Sequence, residues 1–178
     1  MSIKSKLIMA GLVAMSMASV NAMAATGNSG KVTFTGEVVD SPCNLAPGQD
    51  GTDVKVDFGQ LSMSQLNAGS KVTQPFALKL QNCALTTETK EATTKTVSIT
   101  FNSNDTDTAN TLLHTHGTAT GLGIGIDGYT FGTAKELKGM VDGNNELTFS
   151  AVAQKAATGT DVTAGDFTAA TNFVISYK

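Results

Sequence analysis

Apolar and polar residues alternate with a period of two along most of this chain, a pattern that predicts strands with one buried and one wet face. Val32, Phe34 and Val38 share one parity within residues 31–39, with Lys31, Thr33, Thr35 and Glu37 on the other. Val54, Val56 and Phe58 alternate with Lys55 and Asp57, and Phe76, Leu78 and Leu80 alternate with Ala77 and Lys79. Val97, Ile99 and Phe101 follow the same rule, Leu122, Ile124 and Ile126 are spaced by glycines, and Leu147 and Phe149 continue through Ala151 and Ala153. A last run, Phe167, Ala169, Thr171, Phe173, Ile175 and Tyr177, keeps a single parity. Pro47-Gly48, Asp127-Gly128 and Asp142-Gly143-Asn144-Asn145 supply turns between runs. Ser62 to Asn67 predicts one helical turn, and the polar stretch 103–120 predicts a long loop or irregular edge strand. Short strands at this spacing predict an all-β sandwich.

Two runs do not suit a closed sandwich. Residues 31–39 have a strongly apolar face, yet the six residues before them, Ala25 to Gly30, are small, polar and flexible in character. The final run is long and apolar, and no strand follows it in the sequence, which predicts an exposed edge. The chain thus carries a spare strand and lacks one.

Composition and charge narrow the function. Lys4 and Lys6, the apolar run from Leu7 to Val20, and Asn21-Ala22-Met23-Ala24 have the layout of a secretory signal peptide cleaved after Ala24. The run falls short of the ~20 apolar residues that span a bilayer. Cleavage would leave 178 − 24 = 154 residues, starting at Ala25 and suited to one domain. The 15 acidic residues all lie beyond the leader and two of the 12 lysines within it, giving 10 − 15 = −5. With no arginine in the sequence, a nucleic-acid partner is excluded. Cys43 and Cys83, the only cysteines, predict one structural disulfide in an oxidising compartment. A redox or metal pair would call for CxxC spacing or further ligands. Closing that 40-residue span is worth ~4 kcal/mol in the chain-entropy picture.

The segment from Gly30 through Lys31-Val32-Thr33-Phe34-Thr35-Gly36-Glu37-Val38-Val39-Asp40-Ser41-Pro42 to Cys43 resembles the N-terminal extension and first cysteine of chaperone–usher pilins. It is most similar to the rod subunits of P-type pili. Val56-Asp57-Phe58-Gly59-Gln60-Leu61 resembles the segment that follows in that family, Asn82-Cys83 resembles its second cysteine, and Gly165 with the penultimate Tyr177 resembles its C-terminal pattern. The resemblance implies an incomplete immunoglobulin-like sandwich lacking its last strand and completed in trans, built from a cleaved leader (1–24), an extension (25–40) and a pilin domain (41–178). It implies a structural subunit of a surface fimbria, extracellular after export through the periplasm. Its partners would be copies of itself, a periplasmic chaperone, an outer-membrane usher and adaptor or tip subunits. Val32, Phe34, Gly36 and Val38 would form the donor strand, and Gly165, Phe173, Ile175 and Tyr177 the acceptor groove and chaperone-recognition surface. A minor adaptor or a carbohydrate-binding adhesin is the alternative, although a 154-residue chain leaves no room for an added lectin domain and lacks tryptophan.

Other chemical signals are weak. His114 and His116 share one side of a strand near Asp105 and Asp107, but the stretch is polar and reads as exposed loop, with no metal site expected. Gly121, Gly123 and Gly125 superficially resemble a phosphate loop, but no helix follows, and a glycine-rich strand is the better reading. No Ser/His/Asp constellation is present, so neither catalysis nor a cofactor is expected.

Overall fold

The computed structural model describes residues 28, 30–87, 93–156 and 160–178; the expected signal peptide lies outside the described residues. The chain divides into two units, 1–38 and 39–178. Within the first, residues 30–38 belong to no helix or strand, and Val32, Phe34 and Val38 are exposed. The alternation read there as a strand is therefore a strand-forming sequence without a ladder, because no partner strand pairs with it.

The second unit carries the strands. In chain order they are β1 (Asn44–Leu45), β2 (Val72–Cys83), β3 (Thr86–Thr87), β4 (Thr93–Thr94), β5 (Val97–Asn102), β6 (Leu113–His114), β7 (His116–Gly117), β8 (Leu122–Ile126), β9 (Lys135–Leu137), β10 (Gly143–Lys155), β11 (Phe167–Thr168) and β12 (Asn172–Tyr177). Among the described residues a short α-helix, α1 (Met63–Asn67), stands where one turn was expected and buries Leu66. A five-stranded sheet has the order β1-β2-β10-β8-β6, and a three-stranded sheet the order β12-β5-β9. All of their pairings are antiparallel, the longest running from Gly143 opposite Cys83 to Ala153 opposite Val72. Two small ladders, β11-β7 and β3-β4, complete the list among the described residues.

The two larger sheets face each other because their inward parities are apolar. Leu78, Ile99, Phe101, Ile124, Ile126 and Phe149 meet in one buried cluster. Phe101 is its hub, with ring centroids 5.2 Å from Tyr129, 5.4 Å from Phe149 and 6.5 Å from Phe76. Edge-to-face rings at such distances add to the area that they bury. Beside it lies a smaller cluster of Cys43, Leu80, Cys83, Leu85 and Val97. Cys43 and Cys83 are bonded, with Cα atoms 4.1 Å apart, as the cysteine count predicted.

Two expectations need correction. Residues 54–58 are not a strand, although Val54, Val56 and Phe58 are half-buried and Lys55 and Asp57 exposed as the alternation demands. The last run is not one strand but two, because the chain leaves β7 after Thr168 and joins β5 at Asn172. The polar stretch 103–120 is mostly loop with two short strands, β6 at the edge of the larger sheet and β7, in keeping with the reading of a loop or irregular edge strand. The glycine-rich run is a strand: a side chain at Gly123 or Gly125 would press on Leu112 or the Thr111 carbonyl, so the glycines let the loop pack on β8.

Asp142 pins the link after the disulfide, its Oδ1 accepting the Leu85 N–H at 2.5 Å and the Thr86 N–H at 3.1 Å. The Leu85 bond, then those from Thr86, hold this carboxyl below its ordinary value. A folded-state pKa below the unfolded one contributes stability that is present above the unfolded value and lost as pH falls through the folded one. Asp142→Asn is therefore expected to lower stability at neutral pH and to flatten the acid side of the stability profile below about pH 4. Denaturant melts from pH 7 to pH 2 check this, and parallel acid profiles for both proteins would refute it.

Candidate functional site

Strand β12 pairs with β5 along one side only and is the edge of its sheet. An open groove of about 710 Å³ adjoins it. Its floor is apolar: Phe76 and Leu78 from β2, Phe101 from β5, Ile124 and Ile126 from β8, and Ala151 from β10. One wall is the segment from Thr52 to Phe58, which carries Val54 and Val56; the other is the segment from Phe167 to Phe173. Among the described residues, no backbone hydrogen bond joins the two walls.

That arrangement explains the burial pattern. Phe167, Ala169, Thr171, Phe173, Ile175 and Tyr177 all face inward on one parity, yet all are only half-buried. Val54, Val56, Phe58 and Phe76 are likewise half-buried. Core-facing residues that remain half-wet on both walls and part of the floor mark a layer with room for another element. Charge is confined to the rim, where Lys55 and Asp53 stand 3.7 Å apart with both side chains exposed. Such a pair is worth little in water. No buried polar or charged side chain occurs among the described residues, so the groove offers packing and free backbone groups rather than reactive ones.

The expected acceptor residues are distributed along this feature and not gathered at one point. Phe173 lines the groove, its ring 6.4 Å from that of Phe101. Ile175 and Tyr177 lie further along β12, packed against the cluster that holds the disulfide. Burial raises the Tyr177 phenol above its usual pKa, an effect opposed by a hydrogen bond with Ser41. Gly165 lines a smaller cavity of about 210 Å³ with residues 56–59, Asp166 and Phe167. The expected donor residues Val32, Phe34 and Val38 are exposed in the first unit, and Gly36 has no atom near the place a Cβ would take.

Gly165 has a local reason to be glycine. Its φ of +155° is one that side chains avoid, and a Cβ would collide with Thr118 and Ala119. The close approach lets the Thr118 and Ala119 N–H groups donate to the Asp166 carbonyl at 3.0 and 3.1 Å, and the Asp166 N–H donate to Thr118 Oγ1 at 3.0 Å. These bonds set the wall where it begins.

Sequence reasoning did not assign Val54, Val56, Phe58, Phe76, Phe101 or Phe167 to the site. Their alternation was legible, but nothing local distinguishes a core residue facing a groove from one facing a packed neighbour. Asp105 does meet both histidines, 2.9 Å from His114 Nδ1 and 2.5 Å from His116 Nε2. The bonds from His116 and then His114 hold the Asp105 carboxyl below its ordinary pKa. All three side chains are largely exposed, and no metal-binding group is found among the described residues.

Comparison with known proteins gives this groove its context. The family described as fimbrial protein matches residues 32–178. The Pap fimbrial major pilin protein of Escherichia coli is 37% identical over 186 residues, covering 97% of this chain and 99% of the relative. A subunit in the structure of a chaperone–usher pilus superposes with a TM-score of 0.71 at 33% identity, covering 85% of this chain and 96% of that one. The P pilus rod subunit PapA superposes with a TM-score of 0.63 at 32% identity, over 78% of this chain and all of that one. The chain belongs to the fimbrial protein family. It is a structural pilus subunit with an immunoglobulin-like fold, not an enzyme, and its place is in fimbriae at the bacterial surface.

Gly165→Ala is expected to lower stability by roughly 1–3 kcal/mol, the usual scale for a side chain forced into a disfavoured backbone region. Denaturant unfolding with an unchanged m value checks it; a shift within error of zero would show that the Gly165 contact imposes no constraint.

Proposed function

We propose that the groove between residues 52–58 and 167–173 receives the strand 31–39 of another copy of this chain, and that repetition of this contact builds the fibre. One observation carries the reading: β12 offers an unpaired edge above an apolar floor whose walls are half-buried. The exposed side chains of Val32, Phe34 and Val38 suit that floor, since alternate residues of an added strand point the same way. Nine extended residues reach about 30 Å, comparable with the wall from Phe167 to Tyr177. Burying three such side chains contributes roughly 5–9 kcal/mol before any ladder hydrogen bond forms. Gly36, on the same parity, leaves space where a wall residue presses close.

A contact between two different surfaces of one chain does not close on itself, so it propagates into an open polymer. Before assembly the same groove needs a temporary strand, which a periplasmic chaperone supplies and an outer-membrane usher exchanges for the next subunit's extension. Adaptor or tip subunits would occupy the fibre's end through the same pairing. Phe173, Ile175 and Tyr177 are the residues that a chaperone strand meets on this edge.

Deleting residues 25–40 is expected to leave a subunit that folds with an added donor peptide yet forms no fibre. Electron microscopy of the secreted material and size-exclusion chromatography read the outcome. Fibres of normal length from the truncated chain would contradict the proposal, and a triple change of Val32, Phe34 and Val38 to Ser should weaken assembly without removing the segment.

A further inference from the structure

Neither groove wall is bonded to the other along its length, so their separation has to be fixed elsewhere. The wall 52–58 runs on through Leu61 into α1, and the last residue of that helix is Asn67. The wall 167–173 is preceded by the segment that contains Val162. Asn67 reaches across 95 positions of sequence and bonds both main-chain groups of that residue. Its Nδ2 donates to the Val162 carbonyl at 3.0 Å, and its Oδ1 accepts the Val162 N–H at 2.8 Å. An amide used in this way copies one step of a β-ladder with a side chain.

The clasp is backed on both sides. Leu66 and Val162 are buried in the main cluster, so the helix and the segment share a packed base. Beyond Val162, Thr163 exchanges bonds with Thr120: its N–H donates to the Thr120 carbonyl at 3.1 Å, and its hydroxyl accepts the Thr120 N–H at 2.9 Å. Force applied to the wall at Phe167 is shared between β7, through the β11–β7 ladder and the Asp166 bonds, and α1, through Asn67. Among the described residues, the other contacts across that end are the packed base of Leu66 and Val162 and the pair Phe58–Phe167, ring centroids 6.3 Å apart. Two rings in contact resist approach more than separation, while hydrogen bonds resist separation.

We infer that Asn67 is a positioning residue for the acceptor groove, tying one wall to the other and setting the width into which a donor strand fits. The inference rests on the proposed reading of the groove. A strand in a groove of fixed width packs against both walls at once, and leaves only when all of its pockets empty together. Loss of the clasp unties the wall 52–58 and α1 from the opposite wall, which β7 still holds, so that the groove can widen and release no longer needs every contact broken at once.

The test uses fibres of the full mature chain, incubated with an excess of synthetic peptide of residues 25–40 while released, peptide-capped subunits are counted by gel filtration. Asn67→Ala is expected to speed release by roughly tenfold, the scale of two lost hydrogen bonds. Asn145→Ala is the matched control: its side chain makes the same two-bond clasp with Val141, at 2.8 and 3.0 Å, in a hairpin that does not line the groove. It should lower the unfolding midpoint comparably and leave release unchanged. Asn67→Gln, which keeps both amide groups on a longer arm, should fall between Asn67→Ala and the native protein, and it serves for comparison if Asn67→Ala yields no fibre. Equal release from both alanine variants, with the peptide still capping the subunits, would overturn the role of Asn67 and leave the groove reading intact. Failure of the same peptide to cap a chain lacking residues 25–40 and refolded in its presence, where no donor has to leave first, would overturn the groove reading itself.

Discussion

A strand edge above an apolar floor cannot remain as it is in water without cost. The free backbone groups of β12 can bond solvent, but Phe76, Phe101, Ile126 and Ala151 beneath them cannot. Both parts of the problem have one solution, an added strand that pairs with the edge while its alternate side chains cover the floor. The rest of the molecule is arranged around that demand. Two sheets hold the floor rigid through the Phe101 ring cluster, and bonds at the ends of the walls keep them in place.

The ends of the site are built differently. Near Tyr177 the chain is tied covalently, with Cys43 bonded to Cys83 and the Ala84 N–H donating to the Pro42 carbonyl at 2.8 Å. Asp142 fixes the segment that follows. Under the proposed function, any pull transmitted along residues 30–40 would enter the folded unit at this reinforced point. At the other end, near Phe58 and Phe167, the ties are hydrogen bonds and one aromatic contact, which can yield and reform. In the proposed assembly, a covalent lock at the exit of the extension and a compliant closure at the far end would let a donor enter without loosening the anchor.

Much of this was legible in the sequence because period-two alternation reports burial directly. The inward parities of β2, β5, β8, β10 and β12 all follow it, and so does the half-burial of Val54, Val56 and Phe58. Alternation does not report whether an edge is paired. It therefore misassigned residues 54–58 as a strand, and it could not see that the run 167–177 changes partner from β7 to β5. Residue pattern and family resemblance together pointed to Phe173, which lines the groove, and to the apolar face of residues 31–39, which stands exposed. The floor residues, the amide clasp of Asn67 with a residue 95 positions away and the collision that Gly165 avoids are long-range facts that a local reading cannot bring together.

Amide hydrogen exchange, measured on the isolated subunit and on intact fibres, tests the central claim most directly. The account predicts that the amides of residues 31–39 exchange freely in the subunit and become strongly protected in the fibre. The amides of Asn172–Tyr177 that are not bonded to β5 should gain protection with them. Fibres in which residues 31–39 still exchange as fast as a free peptide would contradict it.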